Sequence, residues 1–343
     1  MKYYCFFLVN CLWSNYILSL DIFYTTEINL NLRYNRLSNR TIDTNPFKIL
    51  DAPGVLEKEN LLDWHNNILG IALHESSYIY NSVTKNVTEV YSSPNYISSL
   101  KIHRNTLFSG DSTGKINVFD IKSNKVLNLL SFDTGSVNCI DCNENVMTFS
   151  GKNFVKSVDL RSNEVINSLK VNEVVKIKYS HDKKYLGMVG NGINIYNVNS
   201  NVPFFSTPLV SKSIDWCNWR NGIICSGGYK NNTLMIYDIL DKKEEKSLRM
   251  NAQITNVKFI NRTKEILVCT GKGSKENSNS ISIYRANSLR LVSEFGKHDF
   301  PILNAELSHD EKIVCSVSCD ESLKFWRIIS EESKFKKDSV DFR

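Results

Sequence analysis

Cys139-x-x-Cys142 and Cys315-x-x-x-Cys319 are the two places where thiols stand close enough in sequence to share a metal ion. A structural zinc site takes four ligands, so each pair would need a second pair or two histidines at matching spacing. Neither pair has them. Both lie in alternating apolar runs, VNCIDC and IVCSVSC, the setting of buried thiols in a reducing compartment, and no disulfide is expected among the nine cysteines. Gly271-Lys272-Gly273-Ser274 has the residue types of a phosphate cradle but lacks the preceding spacing of a Walker loop, and is placed in a long loop. No nucleophile stands with a base at a motif spacing. His298, after Gly296-Lys297, is read as a member of a buried His-Asp hydrogen-bond network that holds structure, Asp310 of Ser308-His309-Asp310 as a turn aspartate, and His181-Asp182 as occupying a comparable turn. The chain is therefore read as one that binds and does not catalyse, with no metal and no cofactor.

The elements that carry these residues follow from composition and repeat. With 343 residues, 42% of them hydrophobic and 23% charged, the chain can bury a substantial core. A net charge of +6 is spread along a chain in which basic and acidic residues alternate, which argues against a nucleic-acid partner. The first twenty residues, MKYYCFFLVNCLWSNYILSL, resemble a secretory signal, but Asn10, Ser14 and Asn15 interrupt the apolar run for both a signal and a membrane span. No membrane partner is expected. Residues 21–45 are polar and aperiodic, so residues 1–45 are taken as a flexible leader.

From Trp64 onward one unit recurs. Each copy ends a strand in an aromatic-rich triplet: Ile79-Tyr80-Asn81, Val118-Phe119-Asp120, Ser157-Val158-Asp159, Ile195-Tyr196-Asn197, Ile236-Tyr237-Asp238, Ile283-Tyr284-Arg285 and Phe325-Trp326-Arg327. The middle residues are 39, 39, 38, 41, 47 and 42 apart, the period of a WD repeat with its Trp-Asp position degenerate. Seven four-stranded units must bury both faces against neighbours, so they close into an all-β, seven-bladed WD40 β-propeller. Too little chain follows Trp326 to complete the last blade, and Pro46–Asp51 (PFKILD) is the apolar segment left over. It is expected to return as the outer strand of blade seven and remove the open edge. The propeller is thus set at residues 46–329 and a flexible tail at 330–343.

Three stretches are more specific than a generic WD repeat: PFKILDAPGV followed by LLDW, DWCNWRNGIICSGGYKNNTLMIYD at 215–238, and FGKHDFPILNAELSHDEKIVCSVSCDESLKFWRI at 295–328. Together they resemble the fizzy and fizzy-related proteins, WD-repeat coactivators that recruit substrates to the anaphase-promoting complex, a ubiquitin ligase. The resemblance covers about Pro46 to Ile328.

That resemblance implies a binding function. A destruction box, an Arg-x-x-Leu peptide, would lie between the first and last blades, its arginine contacted by Asp63 of Leu-Leu-Asp-Trp and Glu321 of Cys-Asp-Glu-Ser, with Leu62 and Trp64 as walls. Two carboxylates converging on a guanidinium make strong charge-assisted bonds, and replacing either by alanine is expected to weaken the peptide without lowering the melting temperature. Read without the family, Asp63 caps a turn and Glu321 is a solvated loop residue. For a second degron, the Lys-Glu-Asn box, only Asn191 carries over; Pro301 and Tyr229 stand where relatives have Arg and Thr, which points to altered recognition. The chain's own Lys58-Glu59-Asn60 and Lys275-Glu276-Asn277 are attributed to chance in a sequence rich in those residues. Relatives dock on the ligase through a terminal Ile-Arg, matched by Phe342-Arg343, and an amino-terminal motif, of which Arg33-Tyr34 keeps two positions.

The expectation is of a mitotic coactivator acting in nucleus and cytoplasm. Its partners would be subunits of the anaphase-promoting complex, degron-bearing cell-cycle proteins and checkpoint inhibitors, and it would be monomeric apart from the complex. The alternative is a WD scaffold for protein or ribonucleoprotein assembly.

Overall fold

The computed structural model describes residues 42–329, apart from 59, 133–134 and 274–277. Within them the chain forms twenty-eight strands in seven four-stranded antiparallel sheets, and there is no helix among the described residues. Blade one holds β2 (Leu62–His65), β3 (Ile68–Leu73), β4 (Ser76–Asn81) and β5 (Val87–Ser92). Blade two has β6 (Ile97–His103), β7 (Thr106–Asp111), β8 (Lys115–Asp120) and β9 (Lys125–Ser131), and blade three β10 (Cys139–Asn143), β11 (Val146–Ser150), β12 (Phe154–Asp159) and β13 (Glu164–Lys170). Blade four comprises β14 (Val174–Tyr179), β15 (Tyr185–Gly190), β16 (Ile193–Asn197) and β17 (Pro203–Thr207). Blade five comprises β18 (Ser211–Trp216), β19 (Ile223–Gly228), β20 (Thr233–Asp238) and β21 (Lys243–Arg249). β22 (Ala252–Ile260), β23 (Glu265–Gly273), β24 (Ser280–Arg285) and β25 (Leu291–Lys297) make blade six. Blade seven has β26 (Ile302–Leu307), β27 (Ile313–Ser318) and β28 (Ser322–Arg327), and its fourth strand is β1 (Lys48–Asp51).

The recurring triplets all end the third strand of a blade, and their last residue has a physical task. In five blades an Asn or Asp there accepts the backbone N–H two residues on: Asn81 from Val83 (2.9 Å), Asp120 from Lys122 (3.0 Å), Asp159 from Arg161 (2.8 Å), Asn197 from Asn199 (3.1 Å) and Asp238 from Leu240 (2.9 Å). Each side chain replaces a ladder partner just where the chain must leave the sheet and turn to the outer strand. Second strands carry small residues where the next blade leans on them. A Cβ on Gly70 would lie 2.7 Å from Leu100 Cδ2, and one on Gly187 would lie 2.8 Å from Ile214 Cδ1; bare glycine sets how closely those sheets approach.

Closure is as the sequence predicts. β1 runs antiparallel to β28 with Lys48 opposite Phe325 and Asp51 opposite Ser322, and Phe47 N–H donates to Phe325 O at 3.0 Å. The Phe325 ring gathers Tyr80 (5.6 Å between centroids), Trp64 (6.0 Å) and Phe47 (6.2 Å), and Lys48 Nζ donates to Tyr80 Oη at 2.8 Å. One strand thus completes blade seven and grips blade one. The run is less buried than its composition suggests: Phe47 and Ile49 are exposed, and Leu50 is half-buried, as are Pro46 and Lys48.

One local reading changes. Gly271-Lys272-Gly273 is the end of β23 and not a loop, its backbone used in a sheet. The buried network around His298 takes its carboxylate from Asp320: His298 Nδ1 donates to Asp320 Oδ2 and Nε2 accepts from Ser316 Oγ, both at 2.8 Å, and Trp326 Nε1 donates to Ser316 Oγ at 2.9 Å. Asp310 caps the turn after β26, accepting from Ser308 Oγ at 2.7 Å. His181 Nε2 meets Trp216 O at 3.0 Å, tying blade four to blade five. The seven described cysteines are free thiols, five of them buried.

Candidate functional site

On β2 the side chains alternate, and that alternation decides what each residue of Leu62-Asp63-Trp64 can do. Leu62 is buried and Trp64 half-buried against Leu303, Cys315, Leu323 and Phe325 of blade seven. Asp63 points the other way, to blade two. Its Oδ2 accepts Ile102 N–H at 2.8 Å and its Oδ1 meets Lys101 Nζ at 3.3 Å. Burial alone would raise its carboxyl; Lys101 and the Ile102 N–H outweigh that and hold it below the ordinary aspartate value. Glu321 lies in the exposed turn between β27 and β28 at a positive φ of 58°, and its Oε1 accepts Gly54 N–H at 3.0 Å. Ala52 N–H donates to Glu321 O at 2.7 Å. The structure therefore does not bring Asp63 and Glu321 together on one guanidinium, as the sequence reading expected: a period-2 strand that buries Leu62 and Trp64 in the seam of blades one and seven must aim Asp63 away from it. Leu62 is core, and only Trp64 and Glu321 remain near the surface of that seam.

The remaining positions divide. Tyr229 and Pro301 share a cavity of about 100 Å³ with Lys212, Gln253, Thr255 and Lys272. Asn191 is not part of it; its Nδ2 donates to Glu173 Oε2 at 2.5 Å beside another cavity. Asn60 has a role that the sequence reading missed. Its buried side-chain amide donates to Asn138 O (2.9 Å) and Val175 O (2.8 Å), holding the segment before blade one against blades three and four. Arg33, Tyr34, Phe342 and Arg343 lie outside the described residues, as do Lys275, Glu276 and Asn277.

Asp63 is also one member of a pattern. At the equivalent position of every innermost strand stands a charge: Asp63, Lys101, Asp141, Lys178, Asp215, Lys258 and Glu306, on β2, β6, β10, β14, β18, β22 and β26. Asp141 Oδ2 accepts Tyr179 N–H at 2.7 Å and Asp215 Oδ2 accepts Phe259 N–H at 2.6 Å, repeating what Asp63 does to Ile102. Lys101 also reaches Asp141 at 3.3 Å, Lys178 pairs with Asp215, and Lys258 meets Glu306 at 2.6 Å. Signs alternate around the ring until Glu306 and Asp63, two acids in succession, because seven is odd. Six of the seven members line a cavity of about 40 Å³ among the inner strands. The signal was present in the sequence as one charge between two apolar residues near the start of each repeat, in LDW, LKI, IDC, IKY, IDW, VKF and AEL.

Comparison with known proteins bears on the whole ring. A chain of the crystal structure of the mitotic checkpoint complex superposes with a TM-score of 0.80 at 25% identity, covering 85% of this chain and 94% of that one. The WD repeat-containing protein slp1 of Schizosaccharomyces pombe is 26% identical over 308 residues, 85% of this chain and 63% of its own length. The chain is similar in sequence to fizzy-related proteins. The anaphase-promoting complex subunit cdc20 of Dictyostelium discoideum (26% identity, 86% of this chain, 62% of the relative) and the APC/C activator protein CDH1 of Saccharomyces cerevisiae (25%, 88% and 56%) are similar over comparable shares of the chain. No family model matches. The chain spans less than two thirds of the length of these three relatives, 63%, 62% and 56%.

Proposed function

We propose that the chain is a non-catalytic coactivator of the anaphase-promoting complex that receives destruction-box substrates at the seam of blades one and seven in mitosis. The observation that carries this is the similarity, over 86% and 88% of this chain, to a named subunit and a named activator of that complex. The seam has the parts such a receptor uses: the exposed Glu321 carboxylate, fixed by the Gly54 N–H, and the aromatic wall of Trp64. Arg33-Tyr34 and Phe342-Arg343 dock the chain on the ligase, two weak contacts adding through effective concentration. Degron-bearing cell-cycle proteins and checkpoint inhibitors are the further partners, in nucleus and cytoplasm. The replaced positions Tyr229 and Pro301 make the Lys-Glu-Asn box a weak ligand.

The test is pull-down of ligase subunits by the full chain and by a chain lacking Phe342 and Arg343. Loss of the ligase with the propeller still folded supports the docking assignment, and equal recovery by both overturns it.

A further inference from the structure

Among the described residues, blade six alone has two register shifts between its third and outer strands, one between Ile281 and Ser282 and one between Ile283 and Tyr284; the other blades have one or none. The first shift sets Gly296 opposite Ile281 and Glu294 opposite Ser282, passing over Phe295. Such irregularities re-aim side chains. Phe295 is buried with its ring 6.0 Å from that of Trp326 in blade seven, whereas Glu294 lines a cavity of about 150 Å³ between blade six and blade five.

That cavity has an apolar wall and a polar one. Leu248, Met250 and Tyr284 are half-buried, packed on the core between the two blades, while Ser280 and Ser282, alternate residues of β24, are buried and bring hydroxyls. Glu294 Oε1 is shielded from solvent without a hydrogen-bond partner, the only carboxylate oxygen so placed among the described residues. Burial first, and then this carboxylate, push the Tyr284 phenol above its ordinary value. Arg249, at the rim, is exposed and forms no ion pair among the described residues. A shielded acceptor left empty costs free energy, and more when it is charged. The cavity therefore calls for a cationic donor.

We infer that the cleft between blades five and six is a binding site for a lysine side chain of a partner protein, with its ammonium on Glu294 Oε1 and its stem along Leu248, Met250 and Tyr284. An ammonium is a compact charge with three donors, which the carboxylate and the two serine hydroxyls can receive, whereas a guanidinium spreads five donors in a plane and would leave some unmet. The lysine stem buries its methylenes along apolar surface. This cleft is separate from the seam of blades one and seven, and the inference does not depend on the receptor reading.

The experiment uses the full chain with carbon-13 in the methyls of its five methionines, the Met250 signal being identified through Met250→Leu. Three acetylated pentapeptides, alike except for a central Lys, Arg or norleucine, are titrated into wild type and Glu294→Gln, beside melting curves. The lysine peptide should move the Met250 signal saturably, and norleucine, which keeps the stem without the charge, should leave it in place. Glu294→Gln should weaken the lysine peptide about tenfold, the loss of one charge-assisted bond, and should melt no lower than wild type because it removes an unpaired shielded charge. A Met250 signal that ignores the lysine peptide, or responds equally to norleucine or in Glu294→Gln, overturns the inference. An arginine peptide that binds as tightly overturns the assignment to lysine. Lower melting of Glu294→Gln, matched by Arg249→Ala, also overturns it, since Glu294 would then be held by Arg249 within the chain.

Discussion

His298 shows how much one side chain can hold when every polar atom has a partner. Burial pushes its imidazole down to about 4, so it is neutral at physiological pH, donating to Asp320 and accepting from Ser316. The unfolded chain takes up that proton near pH 6.5 and the folded one only near 4, so between those values the unfolded state binds more protons and stability rises with pH. The slope is at most about 1.4 kcal/mol per pH unit. Melting temperature should therefore fall as pH drops from about 6.5 to about 4, and His298→Gln should flatten that part of the profile. A second contrast lies between the two acids. Asp63→Ala strips a buried N–H of its acceptor and costs about 2–3 kcal/mol in urea unfolding, whereas the exposed Glu321→Ala should stay within about 0.5 kcal/mol of the parent. Equal stabilities for the two variants would contradict the burial described for Asp63.

At the scale of elements, the strand that closes the ring comes first in sequence and last in the sheet order. Deleting residues 46–51 removes the outer strand of blade seven together with the Lys48–Tyr80 and Phe47–Phe325 contacts to its neighbours. The full chain without them should melt well below the parent, and coincident melting would show that β1 does not close the ring. This element and the seven blades were legible in sequence because each depends on local pattern: a period of about 40 residues and an apolar segment left over. The candidate site was less legible. Which way Asp63 points depends on which neighbours of β2 are buried, and Leu62 and Trp64 were both read as walls when the strand's alternation gave them jointly to the core side. Asp320 was missed as the partner of His298 because the pairing crosses a hairpin and leaves no fixed offset. The inner charges could have been found, since each repeat places one between two apolar residues, but their meaning emerges only when the ring is closed.

For the molecule as a whole, the ring of charges explains why one seam differs from the other six. Six seams are crossed at this level by an acid-to-amide bond or an ion pair, from Asp63 to Ile102 round to Lys258 with Glu306. The seam between blades seven and one has acids on both sides, and at its inner edge Asn304 Nδ2 donates to Leu62 O at 3.0 Å. It is otherwise closed by β1 and the rings around Phe325. An odd number of blades thus leaves two acids in succession at one junction, the seam where the degron is proposed to bind. The most direct test of that account is the affinity of the full chain for an Arg-x-x-Leu peptide, measured by anisotropy at low and high salt beside Glu321→Ala. The account predicts saturable binding that weakens with salt and falls about tenfold in the variant, the loss of one charge-assisted bond. A folded wild type that does not bind, or binds equally well without Glu321, would contradict it and leave a propeller of this lineage that serves as a scaffold.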